Sequence, residues 1–354
     1  MNTALMNTIP PASLVKPTAN VGVNGPTLDT FRGVIAADMQ AIDSVIRTRL
    51  ASEVVLINQI AQYIIGAGGK RLRPALVVLA GCVAGAPKAH VHEMAAVVEF
   101  IHTATLLHDD VVDKSDLRRG RDTANAIFGN AASVLVGDFL YSRAFQMMVE
   151  VGSVRVMGVI AEATNIISEG EVLQLMNVRD ADIDEDNYLR VVRYKTAKLF
   201  EAACRLGAIL GNASPADEAA LATYGMHIGT AFQLIDDVLD YSGDVNETGK
   251  NVGDDLAEGK PTLPLIFAMR EGTDVQREVI RRAIMESDVD EDGAAEAHME
   301  AVMAAIQATG AVDYARDAAK AEARLAEKAI SHLPDSVYRD ALLQLCVFAV
   351  ERKY

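Results

Sequence analysis

Residues 106–113 read LLHDDVVD and residues 233–240 read QLIDDVLD. The same Asp-Asp-x-x-Asp recurs 127 residues on, each time inside an apolar run spaced as an α-helix requires. On a helix Asp109 and Asp113 share a face at i and i+4 with Asp110 beside them, and Asp236, Asp240 and Asp237 repeat the arrangement. Carboxylates against apolar surface are costly unless something positive sits between them. The spacing is too long for a solenoid period but suits two helices facing each other across a bundle, where ligand sites are commonly built.

Working outward from the two motifs, long amphipathic segments of roughly 15–30 residues run from Leu28 onward, with apolar spacings of three and four. Short Gly, Pro, Asn or Asp punctuation separates them, at 66–74, 115–122, 177–186, 242–264, 287–293 and 333–335 among others. No stretch shows sustained strand alternation between hairpin turns. Half of the 354 residues are hydrophobic, only 5% are aromatic and there is no Trp, a composition that favours helices. The expected fold is therefore all-α, a single helical bundle around a central cavity, spanning residues 29–354. Residues 1–28, rich in Pro, Asn and Thr, read as a flexible leader without the basic and apolar regions of a signal peptide.

The net charge of −16 excludes nucleic acid as a partner, since a phosphate backbone demands the opposite sign. Cys82, Cys204 and Cys346 are scattered and odd in number, which fits buried thiols in a reducing compartment. No apolar run reaches the ~18 residues that span a bilayer, so the expectation is a cytoplasmic protein.

Neither Asp motif has His or Cys at ligand spacing, so the bound cation would be hard, Mg²⁺ or Mn²⁺ held by oxygens. Mg²⁺ is usually bound by a few carboxylates together with substrate phosphate oxygens. Two acidic ledges on one cavity thus point to a diphosphate bridged through metal. Direct cations should lie nearby. The stretch GAGGKRLRP (66–74) supplies Lys70, Arg71 and Arg73 on a Gly-rich turn that lacks the P-loop order. Arg118 and Arg119 follow the first motif, and Lys195-Thr196, Lys250 and Lys260 come later. Arg suits the task because its planar fork donates two hydrogen bonds to one phosphate. The set reads as two distinct diphosphate pockets.

GGKRLRP, LLHDDVVD with its following RRG, GEVLQL (170–175), Lys195-Thr196 and QLIDDVLDYSGD…GKNVGDDLAEGKPTLPL resemble, in order and spacing, the trans-isoprenyl (polyprenyl) diphosphate synthases. The resemblance runs from about Leu28 to the C-terminus. HTATLLHDDVVD and GNAASVLVGDFLYSRAFQMM are similar to the long-chain bacterial branch, whose products form quinone side chains.

The resemblance implies an all-α homodimer that condenses isopentenyl diphosphate onto an allylic diphosphate, with about three Mg²⁺ as Lewis acid. It implies Asp109, Asp113, Asp236 and Asp240 as metal ligands, with Asp110, Asp237, Lys195 and Arg118 completing the catalytic set. Arg118, Lys195, Thr196, Gln233, Lys250 and Lys260 would grip the allylic diphosphate; Lys70, Arg73, His102 and Arg119 would hold isopentenyl diphosphate. Membrane contact would be peripheral at most, for product release. His108 reads as structural.

Residues four and five positions before Asp109 lie one turn below the metals, at Thr105 and Ala104. The family places bulky aromatics there when growth stops early; Ala104 implies an open tunnel and a product near C40. Phe145 and Met148 are candidate floor residues. The acidic runs 180–186 and 288–293 lack the Glu that a calcium loop needs at position 12 and read as helix-start loops. A terpene cyclase would not need the GGKRLRP pocket, and an inactive partner subunit would have lost an Asp motif.

Overall fold

A computed structural model describes residues 28–66, 68–118, 120–242, 253–286 and 294–352. Most of the leader, Arg119, Lys250 and the 288–293 run therefore lie outside the described residues. Helix α1 (Leu28–Arg32) runs through a 3₁₀ turn into α2 (Ala36–Leu50), followed by α3 (Val55–Gly66), α4 (Leu72–Val83) and α5 (Lys88–Val112). After a small ribbon come α6 (Ala124–Phe128), α7 (Asn130–Val151), α8 (Val154–Asn177) and α9 (Glu185–Val192). A π-helical turn, Arg193–Ala197, joins α9 to α10 (Lys198–Leu210), and α11 (Pro215–Ser242) carries the second Asp motif. The chain closes with α12 (Asp254–Ala257), α13 (Leu263–Glu271), α14 (Asp274–Met285), α15 (Ala294–Thr309), α16 (Ala311–Ala329) and α17 (Val337–Glu351).

The expected all-α fold is what the chain adopts. One detail differs: Leu117–Arg118 and Arg121–Asp122 pair as an antiparallel ribbon, Leu117 opposite Asp122. Gly120, at φ +69°, lets the chain reverse there. Helix α4 also begins before Pro74 rather than after it, because a proline in the first helical turn forfeits no intrahelical hydrogen bond. Side-chain caps mark other starts. Asp184 accepts from the Asn187 N–H at α9, within the acidic run read as a helix-start loop, and Thr273 with Gln276 forms a capping box at α14.

The main core lies where α4, α5, α10 and α11 cross. Helix α4 is buried from Leu72 to Gly81 except at Arg73, and the interior side of α5 holds Met94, Val98, Phe100, Ile101 and Leu107. Each such large apolar side chain contributes about 1.5–3 kcal/mol when withdrawn from water. Smaller clusters bury α13–α15 and the seam between α9, α11, α13 and α16.

This packing puts both Asp motifs at helix C-terminal ends. Asp109 and Asp110 occupy the last turn of α5 with Asp113 as its C-cap, and Asp236–Asp240 precede the end of α11 by a few residues. A helix C-terminus carries about half a negative charge, so acids there are destabilising unless cations meet them. Four carboxylates in that position, Asp109, Asp110, Asp113 and Asp240, with Asp236 and Asp237 one turn earlier on α11, mark a site rather than a scaffold.

Candidate functional site

Each carboxylate of the first motif meets a cation from a different part of the chain. Asp110, nearly inaccessible, accepts from Arg118 Nε on the ribbon at 2.6 Å. Asp109 lies 3.7 Å from Lys195 Nζ in the π-turn, and Asp113 accepts from Lys260 Nζ at 2.8 Å. Glu171 on α8 and Glu258 after α12 are further partners of Lys195 (2.6 Å) and Lys260. Three of the cations assigned by resemblance to one diphosphate thus converge on one ledge.

The second motif is wired to the same turn. Thr196 Oγ1 donates to Gln233 Oε1 at 3.1 Å, and Gln233 Nε2 donates to Asp237 Oδ1 at 2.8 Å. Tyr188 OH donates to the other oxygen of Asp237, which is buried. Because Lys195 reaches the first ledge and its neighbour Thr196 reaches the second, the π-turn bridges the two. The segment after α12 does so again: Lys260 pairs with Asp113, while Thr262 donates to Tyr241 OH beside Asp240 at 3.3 Å. The Asp255 N–H donates to Asp240 Oδ2 at 3.3 Å.

The electrostatics follow from burial. Desolvation, with the nearby Asp255 carboxylate, pushes Asp237 up to about 8, against the hydrogen bonds from Tyr188 and Gln233. Burial raises Glu171 to about 7, the Lys195 ammonium opposing and Asp109 adding to the shift. Burial also raises Asp110, outweighing Arg118. Lys260 is shifted the other way: burial would lower it, but Asp113 and Glu258 hold its proton more tightly than usual.

A second cationic pocket forms over two phenylalanines. Phe200 and Phe232 sit 5.8 Å apart, with the Arg73 guanidinium 4.6 Å from the Phe200 ring and Lys70 Nζ 5.4 Å from the Phe232 ring. Arg73 Nη1 lies 3.0 Å from His102 Nε2. Arg71 turns away to Glu99, its backbone in the left-handed region at φ +46°. The preceding Gly68 and Gly69 take φ +74° and +149°, which makes the sharp turn accessible.

The sequence reading passed over several participants. Arg352 at the C-terminus stacks 3.7 Å from the Phe232 ring, donates to the Phe232 carbonyl at 2.7 Å and pairs with Asp236 at 2.7 Å. Arg32 of α1 donates to the Gly69 and Lys70 carbonyls, holding the Gly-rich turn. Glu171, Tyr188, Asp255, Glu258 and the two phenylalanines complete the set. GEVLQL, which begins with Gly170 and Glu171, and GKNVGDDLAEGKPTLPL, which holds Asp255 and Glu258, carried the signal for three of them, without singling those residues out.

A cavity of about 590 Å³ opens beside Asp109 and Glu171 and runs past Thr105 and Tyr141 to Phe145. Phe145 stacks on Tyr141 with ring centroids 6.1 Å apart. Ala104 and Met148 are packed in the core. His108 also lines this cavity, its Nε2 3.2 Å from the Val134 carbonyl and 3.4 Å from Asp138.

Among the described residues no three acidic, His or Cys side chains close around a single point. The donor set still fits a hard divalent cation: carboxylate oxygens on two ledges, without thiols, and in greater number than the cations they face. Such an arrangement holds a few protein oxygens ready and leaves the remaining positions to water and phosphate, as Mg²⁺ prefers.

Comparison with known proteins follows the same lines. The family described as "Polyprenyl synthetase" matches residues 54–302. The chain is 53% identical over 326 residues to the octaprenyl diphosphate synthase of Escherichia coli K12, covering 92% of this chain and 99% of that protein. It superposes on the polyprenyl synthase of Caulobacter crescentus CB15, solved with calcium and isoprenyl diphosphate, with TM-score 0.89 and 43% identity over 94% of this chain and 100% of that one. A decaprenyl diphosphate synthase from Rhodobacter capsulatus superposes with TM-score 0.86 and 44% identity, over 93% of this chain and 100% of that one.

Proposed function

The chain belongs to the polyprenyl synthetase family, and from that premise we propose that it is a long-chain all-trans polyprenyl diphosphate synthase. It adds isopentenyl units to an allylic diphosphate such as farnesyl diphosphate, ending near C40, to make the side chain of ubiquinone or menaquinone. The observation that carries this reading is the pair of pockets: Lys195, Arg118 and Lys260 on the first Asp ledge, and Lys70, Arg73, His102 and Arg352 around Phe200 and Phe232. Two separate diphosphates are what a condensation of two diphosphate substrates requires.

Asp109, Asp113, Asp236 and Asp240 would hold Mg²⁺, which would supply Lewis-acid neutralisation of the departing diphosphate. The chain's own cations do the rest of the gripping. Lys195, Lys260 and Arg118, each already poised on an Asp, and Thr196 with Gln233 orient the allylic diphosphate; Lys250 and Arg119, outside the described residues, are assigned by motif alone. Lys70, Arg73 and His102 place the second substrate with its alkene toward the first. Holding both partners in one geometry removes most of the entropic barrier. The cavity past Thr105, walled in part by Tyr141, Phe145 and Ile167, receives the tail. The proton lost on condensation leaves with the released diphosphate, so no carboxylate is assigned as base.

Exposed apolar side chains on α7 and α8, among them Leu135, Val149, Val154, Leu175 and Met176, support a homodimer through that face. Among the described residues no helix is long and apolar enough to cross a membrane, which supports a cytoplasmic enzyme with peripheral membrane contact at most.

The test is a product analysis. Labelled isopentenyl diphosphate, farnesyl diphosphate and Mg²⁺ are expected to give an EDTA-sensitive ladder of prenols, after dephosphorylation, ending near C40. A stop at C15 or C20 from shorter primers would overturn the long-chain reading, and no prenol at all would favour an inactive subunit.

Stability should depend on pH in a defined direction. Asp237 and Glu171 keep protons in the folded state that the unfolded chain has released above the ordinary carboxylate range. Stability therefore falls as pH rises from about 4 through about 8 and levels above it, each group contributing at most ~1.4 kcal/mol per pH unit. Thermal unfolding of the metal-free protein between pH 5 and 8.5 should show this fall, and Asp237→Asn should flatten it. An equally steep fall in that variant would assign the protons elsewhere.

A further inference from the structure

The π-turn Arg193–Ala197 is where the site is most tightly built, since its Lys195 and Thr196 face the two different ledges. π-Helical turns are rare and concentrate at functional sites, where the extra residue re-aims side chains. This one is wedged between two glycines. A Cβ on Gly170 of α8 would lie 2.6 Å from the Lys195 backbone N and 2.9 Å from the Tyr194 carbonyl carbon. A Cβ on Gly229 of α11 would lie 2.7 Å from the Ala197 Cα. Both separations are shorter than real Cβ contacts allow, and the atoms met are backbone, which cannot rotate aside. The turn is also tied at its start, where Arg193 and His227 both reach Glu322 of α16, at 3.4 and 2.5 Å.

The residue after Gly170 is Glu171, and its carboxylate accepts from Lys195 Nζ at 2.6 Å. One dipeptide therefore touches the turn twice, at the backbone N of Lys195 and at the end of its side chain. We infer that Gly170 and Glu171 are a positioning pair for Lys195. The glycine sets how closely the wide turn approaches α8, and so how deep the lysine stands in the site. The glutamate holds the ammonium group 3.7 Å from Asp109, in the place where the allylic diphosphate will take it over. Neither residue is assigned contact with the reacting atoms; both act through Lys195. The inference rests on the reading of Lys195 as a ligand of the allylic diphosphate, and its test separates the two.

The experiment measures kcat, the KM for each substrate and Tm for Gly170→Ala, Glu171→Ala, Glu171→Gln, Lys195→Ala and the double variant Gly170→Ala/Lys195→Ala. Gly211→Ala serves as the packing control. Its Cβ would meet the Ala84 carbonyl oxygen at 2.5 Å, a comparable intrusion at the far end of α10, about 20 Å along the helix from the turn. Misplacing the lysine by an ångström should matter greatly. Gly170→Ala and Glu171→Ala are expected to raise the KM for farnesyl diphosphate about tenfold or more, with less than about a twofold change for isopentenyl diphosphate. Glu171→Gln, which still accepts from the ammonium, should recover most of the loss. The double variant should be no worse than Lys195→Ala, whereas Gly211→Ala should lower Tm without moving either KM.

Equal rises in both KM values for Gly170→Ala and Glu171→Ala, or no rise in either, would overturn the inference. So would a Gly170→Ala effect that adds in full to that of Lys195→Ala. If Gly170→Ala does not fold, the two Glu171 variants decide alone, and equal defects in both refute the positioning role. An unchanged allylic KM in Lys195→Ala would instead overturn the assignment of Lys195, and the inference with it.

Discussion

Replacing Asp109 or Asp236 by alanine is expected to lower elongation on the order of 10³-fold while the helical circular dichroism stays intact. The size follows from the several kcal/mol that charge neutralisation of a departing diphosphate supplies, at 1.36 kcal/mol for each factor of ten. The second half of the expectation is less obvious. Asp109 lies in the last turn of α5, where the helix dipole opposes a negative charge. Removing it relieves that repulsion by about 0.3–1 kcal/mol, offset in part by its lost ion pair with Lys195 (3.7 Å). Asp236 stands more than a turn before the end of α11 and faces Arg352 (2.7 Å), whose buried guanidinium would lose its counter-charge. Thermal stability should thus hold or rise slightly in Asp109→Ala and fall in Asp236→Ala, while activity collapses in both. Steady-state turnover and a melting curve on the same preparations check both halves, and near-normal turnover in either variant would remove the metal-ledge assignment.

The helices that carry the ledges were legible because their cause is local. Apolar residues at spacings of three and four define α5 and α11, and Gly, Pro and Asn mark their neighbours' ends. The partners of the Asp residues were legible only through motif order, since Lys260 pairs with Asp113 across 147 positions and no local rule forecasts that. Arg352 shows the limit. Alone near the C-terminus it reads as an ordinary solvated charge, yet its side chain is buried against Phe232, 120 positions earlier. The π-turn was invisible for a different reason. RYKTA continues a helical pattern without a break, and the backbones packed closest on it, α8 at Gly170 and α11 at Gly229, lie outside RYKTA. The ribbon at 117–122 was likewise too short to give an alternation.

Ala104→Phe is expected to shorten the product sharply, from near C40 toward C20. Ala104 has no exposed surface, and Thr105, next to it on α5, faces the cavity that begins at Asp109. A benzyl side chain inserted among packed neighbours must displace something, at a cost of typically 1–3 kcal/mol. The nearest open space is that cavity of about 590 Å³, so the displaced atoms or the ring itself should intrude on the room for the tail. Every isoprene unit denied a place loses its burial, roughly 0.8 kcal/mol per CH₂, and release then competes with the next addition. Phe145→Ala works against this at the far wall, where the ring stacked on Tyr141 is removed. Placed on Ala104→Phe, it should restore part of the lost length if the tail runs along that wall. Sizing the prenols from the two single variants and the double one reads all three expectations. A lower melting temperature with an unchanged C40 ladder in Ala104→Phe would mean that the tail leaves Asp109 by another route.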